Sequence, residues 1–422
     1  MHTSLLHDNF KKNLTLKLVL FIIAPFFSFL YSLRKLNSKS SLVIFFLFGM
    51  LYAWSMDCHI EAYDFTRISR DFYLQNYTTE EVFNEIHLFF IGESNAKELY
   101  KLVLTWFAQL FSNNYHTMYL LASIPFLFFM LKSLRLITGD RQNFDNSFYF
   151  FVLVVLFIAP FDLFQLSNYR FPTAAWIAIY SLLQIFQKQQ IKYYLLLLIT
   201  PYIHSGLWPM LIFLLIYKLL PKNLKFFKII FFISIPFAFV ETNLLSLVNF
   251  NFLPERLASW GNEYLSADMV AKFGMYRSGS GFYIIEILIR KSIVAAYLYG
   301  VFISLNHKSE HLIKKNINLL TFIVYLFTIV NFMQIVPTLG ERYLRMAEVL
   351  FIFFWFKTYS TPISVAKSYK KYIYFIFTPF IYILLYEKVR YYLDTTNIDF
   401  YISNVFSIID ANLGVTHYGQ YN

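Results

Sequence analysis

The groups in this chain that could do chemistry are cations and an imidazole set at the ends of apolar runs. Arg170 stands in Ser167-Asn168-Tyr169-Arg170-Phe171-Pro172, between two such runs. An arginine near hydrocarbon is costly and is therefore a functional candidate. Pro172 suits the first turn of a helix and would aim the preceding residues at its mouth. His204 lies in Tyr202-Ile203-His204-Ser205-Gly206, where a neutral imidazole can act as a base or donate a hydrogen bond. Arg342 and Arg345, in Gly340-Glu341-Arg342-Tyr343-Leu344-Arg345, are spaced to share one helix face. Two guanidinium forks there fit a phosphate or pyrophosphate. Arg277 precedes Ser278-Gly279-Ser280-Gly281, small residues that expose backbone N–H groups where a helix starts. Asp64, in Ala62-Tyr63-Asp64-Phe65-Thr66-Arg67, can deprotonate a hydroxyl or pair with Arg67. Plainer roles stay open beside each of these. They are a snorkelling arginine at 170, a carbonyl-bonded histidine at 204, membrane-edge anchors at 342–345, a flexible loop at 277–281 and an ion pair at 64–67.

Other chemistries lack their parts. The single cysteine, Cys58, allows no internal disulfide and no cysteine-based metal cluster. No G-x-x-x-x-G-K, H-E-x-x-H or G-x-S-x-G occurs, which disfavours an ATP-driven pump and a zinc protease. Few acids lie within the apolar runs, which disfavours an ion-coupled transporter with a carboxylate relay. No metal and no cofactor are expected.

The elements that must position these groups are long apolar stretches separated by short loops, and every second loop is basic. The basic loops are Arg34 to Lys39, Lys132 to Arg141, Lys188 to Lys192, Lys218 to Lys228, Lys308 to Lys315 and Lys357 to Lys371. That alternation is the positive-inside pattern of a polytopic membrane protein. Spanning runs are expected at 14–33, 41–56, 115–134, 147–166, 171–187, 226–245, 282–304, 317–336, 344–359 and 371–386. Tyr193 to Leu220 is too short for two full spans, and Pro201 and Pro209 interrupt it, so it reads as two short helices meeting around His204. The expected fold is all-α, a single membrane domain over 1–422 with ~12 transmembrane segments. Residues 57–114 form an outer loop, with a surface helix in 99–112; 246–281 form a second outer loop and 387–422 an outer tail. One conflict stands: this topology leaves Lys11, Lys12 and Lys17 outside, against the charge rule.

Composition agrees with a chain in lipid. Of 422 residues 58% are hydrophobic and 14% charged, whereas soluble domains carry about 25% charge. The net charge of +11 is spread over loops rather than gathered in one patch. Orientation and anionic lipid account for it, and nucleic acid is not an expected partner.

The order of these motifs resembles the EpsG family of bacterial exopolysaccharide and O-antigen polymerases, the Wzy-like proteins. The likeness rests on Tyr63-Asp64 after the second span, Asn168-Tyr169-Arg170 opening a helix, Tyr202-Ile203-His204-Ser205-Gly206, and Arg342-Tyr343, over roughly residues 40 to 360. Ala62 replaces the family's usual glycine, and Phe171-Pro172 follow the arginine where a more polar residue is usual. The resemblance implies a GT-C-like helical bundle in the bacterial cytoplasmic membrane, with its active site facing outward. It implies transfer of a glycan from undecaprenyl pyrophosphate onto another lipid-linked repeat unit. By the same resemblance Arg170 and Arg342 stabilise the leaving pyrophosphate, and His204 serves as a base or orienting residue. Beside these, Arg345, Arg277, Arg67 and Tyr343 are further candidates for substrate binding, and Asp64 is a further catalytic candidate. The expected partners are undecaprenyl-pyrophosphate-linked oligosaccharides and the bilayer, with a chain-length regulator as a further candidate. Arg170, His204 and Arg342 are expected to gather in one outward cavity.

Three alternatives differ in class or acceptor. An O-antigen ligase or other lipid-linked glycosyltransferase shares the outward cations. A flippase would call for two pseudo-symmetric halves and a charged central path, neither evident in the sequence. A membrane O-acyltransferase would call for an acyl-site histidine in a polar context, which is also not evident.

Overall fold

Every regular element among the described residues is helical, with no strand among them, as the apolar runs predict. The computed structural model describes residues 2–34, 36–57, 64–94, 96, 98–138, 148–221, 223–239, 283–306, 316–334 and 337–359. Toward the carboxyl end it describes 381, 385, 388–389, 392–393, 395–396 and 398–413. The expected outer loop at 246–281, with Arg277, lies outside the described residues, as does nearly all of the span expected at 371–386. The chain packs as two compact units, Met1–Val154 with Phe161–Ile212 and Ile383–Asn422, and Val155–Pro160 with Phe213–Tyr382.

The helices are α1 (His2–Ile23), α2 (Pro25–Leu33), α3 (Lys39–Trp54), α4 (Asp64–Leu74), α5 (Thr79–Ile91), α6 (Leu99–Gln109), α7 (Tyr115–Thr138), α8 (Phe148–Ile158), α9 (Arg170–Lys188), α10 (Ile191–Ile203), α11 (Trp208–Leu219) and α12 (Leu224–Ser234). After these come α13 (Tyr283–Asn306), α14 (Ile317–Met333), α15 (Pro337–Tyr359), α16 (Asp399–Ile402) and α17 (Val405–Leu413). Among the described residues two stretches, Tyr115–Thr138 and Phe150–Asn168, are long and apolar enough to cross a membrane, and six further apolar helices are shorter. At 1.5 Å per residue the 24 residues of α7 reach about 36 Å, against a hydrocarbon core of about 30 Å.

In the first unit α3, α7, α9 and α10 pack side by side. Trp54 meets His116 at 5.8 Å, and Leu127 fills the space a Cβ on Gly49 would need, so α3 and α7 are antiparallel. Tyr119 meets Tyr169 at 5.7 Å and Phe129 meets Tyr180 at 5.7 Å, so α7 and α9 run parallel. Tyr180 meets Tyr193 at 6.1 Å, and α10 returns antiparallel to α9. These directions bring Lys39, Lys132, Arg135, Lys188 and Lys192 to one end of the bundle. The other end carries α4, α5 and α6 with Asp71, Glu80, Glu81 and Glu98. Helix α9 is buried without a break from Phe171 to Ile179, its Ala174, Ala175 and Ala178 letting neighbouring helices approach closely.

The loop elements are capped locally. Asn76-Tyr77-Thr78 ends on a hydroxyl that works as a helix cap: Thr78 Oγ1 accepts from the Glu81 N–H at 3.2 Å, and Glu81 Oε2 accepts from the Thr78 N–H at 2.8 Å. The Thr78 N–H, together with the Thr78 hydroxyl donating to the same oxygen at 2.9 Å, holds the Glu81 carboxyl below its ordinary range. Gly92 closes α5 at φ 84°, a left-handed position suited to glycine. The carboxyl-terminal segment is fastened to the acidic end of the bundle. Tyr52 Oη bonds Thr395 Oγ1 at 2.8 Å, Lys388 pairs with Asp162 at 3.0 Å, and Asn114 donates to the Asn412 carbonyl at 2.9 Å.

The amino-terminal run 14–33 departs from its expectation as one span. It breaks at Ala24 (φ −149°, ψ 79°), because Pro25 supplies no N–H to continue α1 and instead opens α2. The two helices pack on each other, and the Ser28 hydroxyl donates to the Lys17 carbonyl at 2.8 Å. Buried Lys17 donates to Ser41 Oγ at 2.7 Å and Ser40 Oγ at 3.1 Å, at the start of α3. Lys17 thus lies level with the basic loop Arg34–Lys39, not a membrane thickness away.

Candidate functional site

The break at His204 is built by the chain around it. Pro201 sits in the last turn of α10, and His204 leaves the helix in an extended conformation (φ −148°, ψ 115°). Its Nδ1 then accepts the Gly206 N–H at 3.0 Å, so the histidine ends α10 and caps the turn Ser205–Leu207 that leads into α11. With Nδ1 so engaged, the ring proton of neutral His204 lies on Nε2. The ring is buried and stands edge-on to Phe171 at 5.2 Å. This is the pair of short helices meeting at His204 that the two prolines predict.

Arg170 opens α9, following a 3-10 stretch, Leu163–Asn168. Pro172 in the first helical turn gives up an N–H that has no intrahelical acceptor. Because α9 and α10 are antiparallel, Arg170 and His204 fall at the same end of the hairpin, away from Lys188. Both face Glu98. Arg170 Nη1 lies 3.3 Å from Glu98 Oε2, and His204 Nε2 lies 3.7 Å from Glu98 Oε1, the second an ion-pair distance rather than a hydrogen bond. The Glu98 side chain is 8% exposed. It stands at the N-cap of α6, yet it makes no cap bond and turns to Arg170 and His204 instead. Helix α6 packs on α10 and α7, and this packing carries the carboxylate to the hairpin mouth.

A floor of phenols lies beneath the cluster. Tyr169 is fully buried between Tyr100, at 5.8 Å, and Tyr119. Burial pushes the Tyr100 and Tyr169 hydroxyls well above their ordinary range, so both stay protonated. Nearby on α6, Lys101 pairs with Asp71 of α4 at 2.7 Å. Tyr202 and Trp208, 6.0 Å apart, continue from His204 toward Phe89 and Phe90 of α5, which lie 6.2 and 6.1 Å from Tyr202. Trp208 and Phe90 are exposed, giving the cluster an aromatic rim.

Glu98 was hidden among nine outer-loop acids in the sequence. Its one distinguishing mark is its place directly before the apolar helix Leu99–Gln109. Of the other expected residues in this unit, Arg67 is exposed on α4, and Asp64 begins that helix with a side chain outside the described residues.

Arg342 and Arg345 belong to the second unit, one turn apart near the start of α15 and both half-buried, as their spacing predicts. Tyr343 is fully buried with its ring against Phe213 at 5.5 Å, so its place is in the core rather than on a substrate-facing surface. Glu348, one turn beyond Arg345, is buried and interacts electrostatically with it. The approach of α14 to α15 depends on Gly340. A Cβ there would lie 2.8 Å from the Met333 carbonyl oxygen and 2.9 Å from Gln334 Cα, backbone atoms that cannot swing aside. Gly340→Ala is therefore expected to cost about 1–3 kcal/mol of stability through overpacking. The check is the thermal melt of the purified protein; an unchanged midpoint would show that the helices part freely here.

No group of three or more metal-binding side chains occurs among the described residues. No family model, no curated protein and no solved structure matches the chain.

Proposed function

We propose that the protein is a membrane glycosyltransferase that extends a polysaccharide, transferring a glycan from undecaprenyl pyrophosphate onto another lipid-linked repeat unit at the outer membrane face. The observation that carries this is the pairing of Arg170 and His204 on buried Glu98, at the bundle end opposite Lys39, Lys132, Arg135, Lys188 and Lys192. With the basic end in the cytoplasm, the cluster opens outward. A pyrophosphate-linked sugar is already activated, so the reaction calls for no nucleotide and no ATP. What it does call for is a fixed cation where the leaving group gains charge, and Arg170 supplies one at a poorly solvated helix mouth. Exposed aromatic faces at the rim suit sugar rings, and the apolar bundle suits the polyprenyl tail. Arg342 and Arg345 form a second cationic face on their own unit, to be tested by their own variants.

The deciding experiment offers purified protein only lipid-linked repeat units and reads product length on a gel. A ladder of added repeats is expected. Product only when a lipid A core is added would mean a ligase. Movement of lipid-linked glycan across vesicles without any new bond would mean a transporter.

The amino terminus gives a topological test. Since Lys17 is level with Ser40 and Ser41, α1 and α2 dip into the membrane and return, one crossing fewer than the ~12 expected from hydropathy. Lys11, Lys12 and Lys17 then join Arg34–Lys39 inside and the conflict with the charge rule disappears. With Cys58 replaced by serine, Asn13→Cys and Asn37→Cys are each expected to react with an impermeant maleimide only after the cells are permeabilised. Labelling of the first in intact cells would restore a full crossing.

A further inference from the structure

We propose that Glu98 accepts the proton in the transfer step, and that it holds Arg170 at rest until the substrate pyrophosphate takes the guanidinium over; this rests on the glycosyltransferase reading above. The inference follows from asking which group at the cluster can receive a proton. Arg170 has no acceptor. His204 spends Nδ1 on the Gly206 N–H, and its ring proton on Nε2 faces Glu98 Oε1 at 3.7 Å. Tyr100 and Tyr169 stay protonated in their buried positions. Asp71 is bound to Lys101 at 2.7 Å. Glu98 is left, with Arg170 from α9, His204 from the end of α10 and the Tyr169 phenol around it.

A carboxylate paired with a guanidinium is a weak base, and a guanidinium paired with a carboxylate is a poor anion site. Both handicaps disappear in one exchange. When the pyrophosphate draws Arg170 away, the Glu98 oxygen that faced Arg170 at 3.3 Å becomes available to the acceptor hydroxyl. The acceptor hydroxyl oxygen then bonds to the anomeric carbon while the bond from that carbon to the pyrophosphate oxygen breaks. The electron pair leaves on the pyrophosphate, held by Arg170, and the hydroxyl proton passes to Glu98. Donor binding thereby switches on the base only once a leaving group is in place.

The test uses the full-length protein in nanodiscs with undecaprenyl pyrophosphate as the probe. Glu98→Gln removes the resting competitor for Arg170, so the probe is expected to bind about tenfold tighter while chain extension falls by ~10²–10⁴. A Glu98 that served only to hold the fold would give weaker or unchanged binding. Glu98→Asp keeps the charge, and is expected to bind the probe as the wild type does and to retain part of the activity. Wild-type binding with no tightening in Glu98→Gln, or full extension by that variant, would overturn the exchange. If Glu98→Asp matched Glu98→Gln in both measurements, the exchange would also fall, since side-chain shape rather than charge would then govern. A wild-type protein that did not bind the probe would instead remove the glycosyltransferase reading on which the exchange depends.

Discussion

Replacing Arg170 with alanine is expected to lower chain extension by ~10²–10³, leaving only short glycans, with the protein still present in the membrane. The size follows from the place of the guanidinium at a helix mouth, 20% exposed, where water would do little to screen the charge of the departing pyrophosphate that the proposed reaction requires. Arg170→Lys should recover only part of the loss, because an ammonium is a point charge and cannot reproduce the planar fork. Folding is a confounder. Removing Arg170 leaves the buried Glu98 carboxylate short of its partner, and breaking a buried pair costs ~3–5 kcal/mol. The double variant Arg170→Ala with Glu98→Gln takes away that uncompensated charge. Protein level should then recover while long glycan stays absent. A normal ladder from Arg170→Ala at normal protein level would sink the assignment.

The second large effect concerns stability. Trp176 is fully buried one and a half turns into α9, and its Nε1–H donates to the Phe161 carbonyl at 2.9 Å. Trp176→Ala is expected to cost ~3–5 kcal/mol for the cavity, and the stranded carbonyl adds ~1–3 kcal/mol. Against a total stability of about 5–15 kcal/mol, little folded protein should remain. Trp176→Phe separates the two contributions, since it keeps most of the ring packing and loses only the donor. Its melting point should fall between those of the wild type and the alanine variant. A Phe variant as unstable as the Ala variant would mean that the hydrogen bond, not the volume, dominates. Because α9 presents Arg170, either change is also expected to blunt chain extension through loss of position.

Much of this was legible along the chain. Apolar length marked α7, α9 and α14 to within about four residues, and α15 at its end but not at its start, since a run of side chains without water to face has few ways to fold other than a buried helix, whereas the polar first turns of α15 carry no such signal. Pro201, Pro209 and the Ser205-Gly206 pair marked the break at His204, because a missing N–H and a small residue act locally. The i, i+3 spacing of Arg342 and Arg345 needed only helix geometry. Charge alternation set out which loops share a side, and the directions of α3, α7, α9 and α10 follow it.

The turn at Ala24 was misread, because hydropathy sums over a window and counts Pro25 as one more tolerable residue. Whether a chain bends there depends on what waits for it; Ser38, Ser40 and Ser41 give Lys17 hydroxyl partners that no local rule could supply. Glu98 was illegible for a related reason. Nothing near it in sequence sets it apart from the other loop acids, and its partners lie 72 and 106 positions away, read as the separations of residues 170 and 204 from 98.

By itself, then, the order of side chains determined an all-helical chain, most of its helix ends, the grouping of basic turns at one level, and the candidacy of Arg170 and His204. Tertiary structure alone decided that these two share a carboxylate, that the first hydrophobic run folds back on itself, and that Tyr343 fills the core. The division has a physical cause. Helix formation and interruption are governed by contacts within four residues, which a sequence displays directly. A carboxylate shared by side chains from three separate helices exists only once packing has fixed their directions and depth, and those depend on the whole set of neighbours at once.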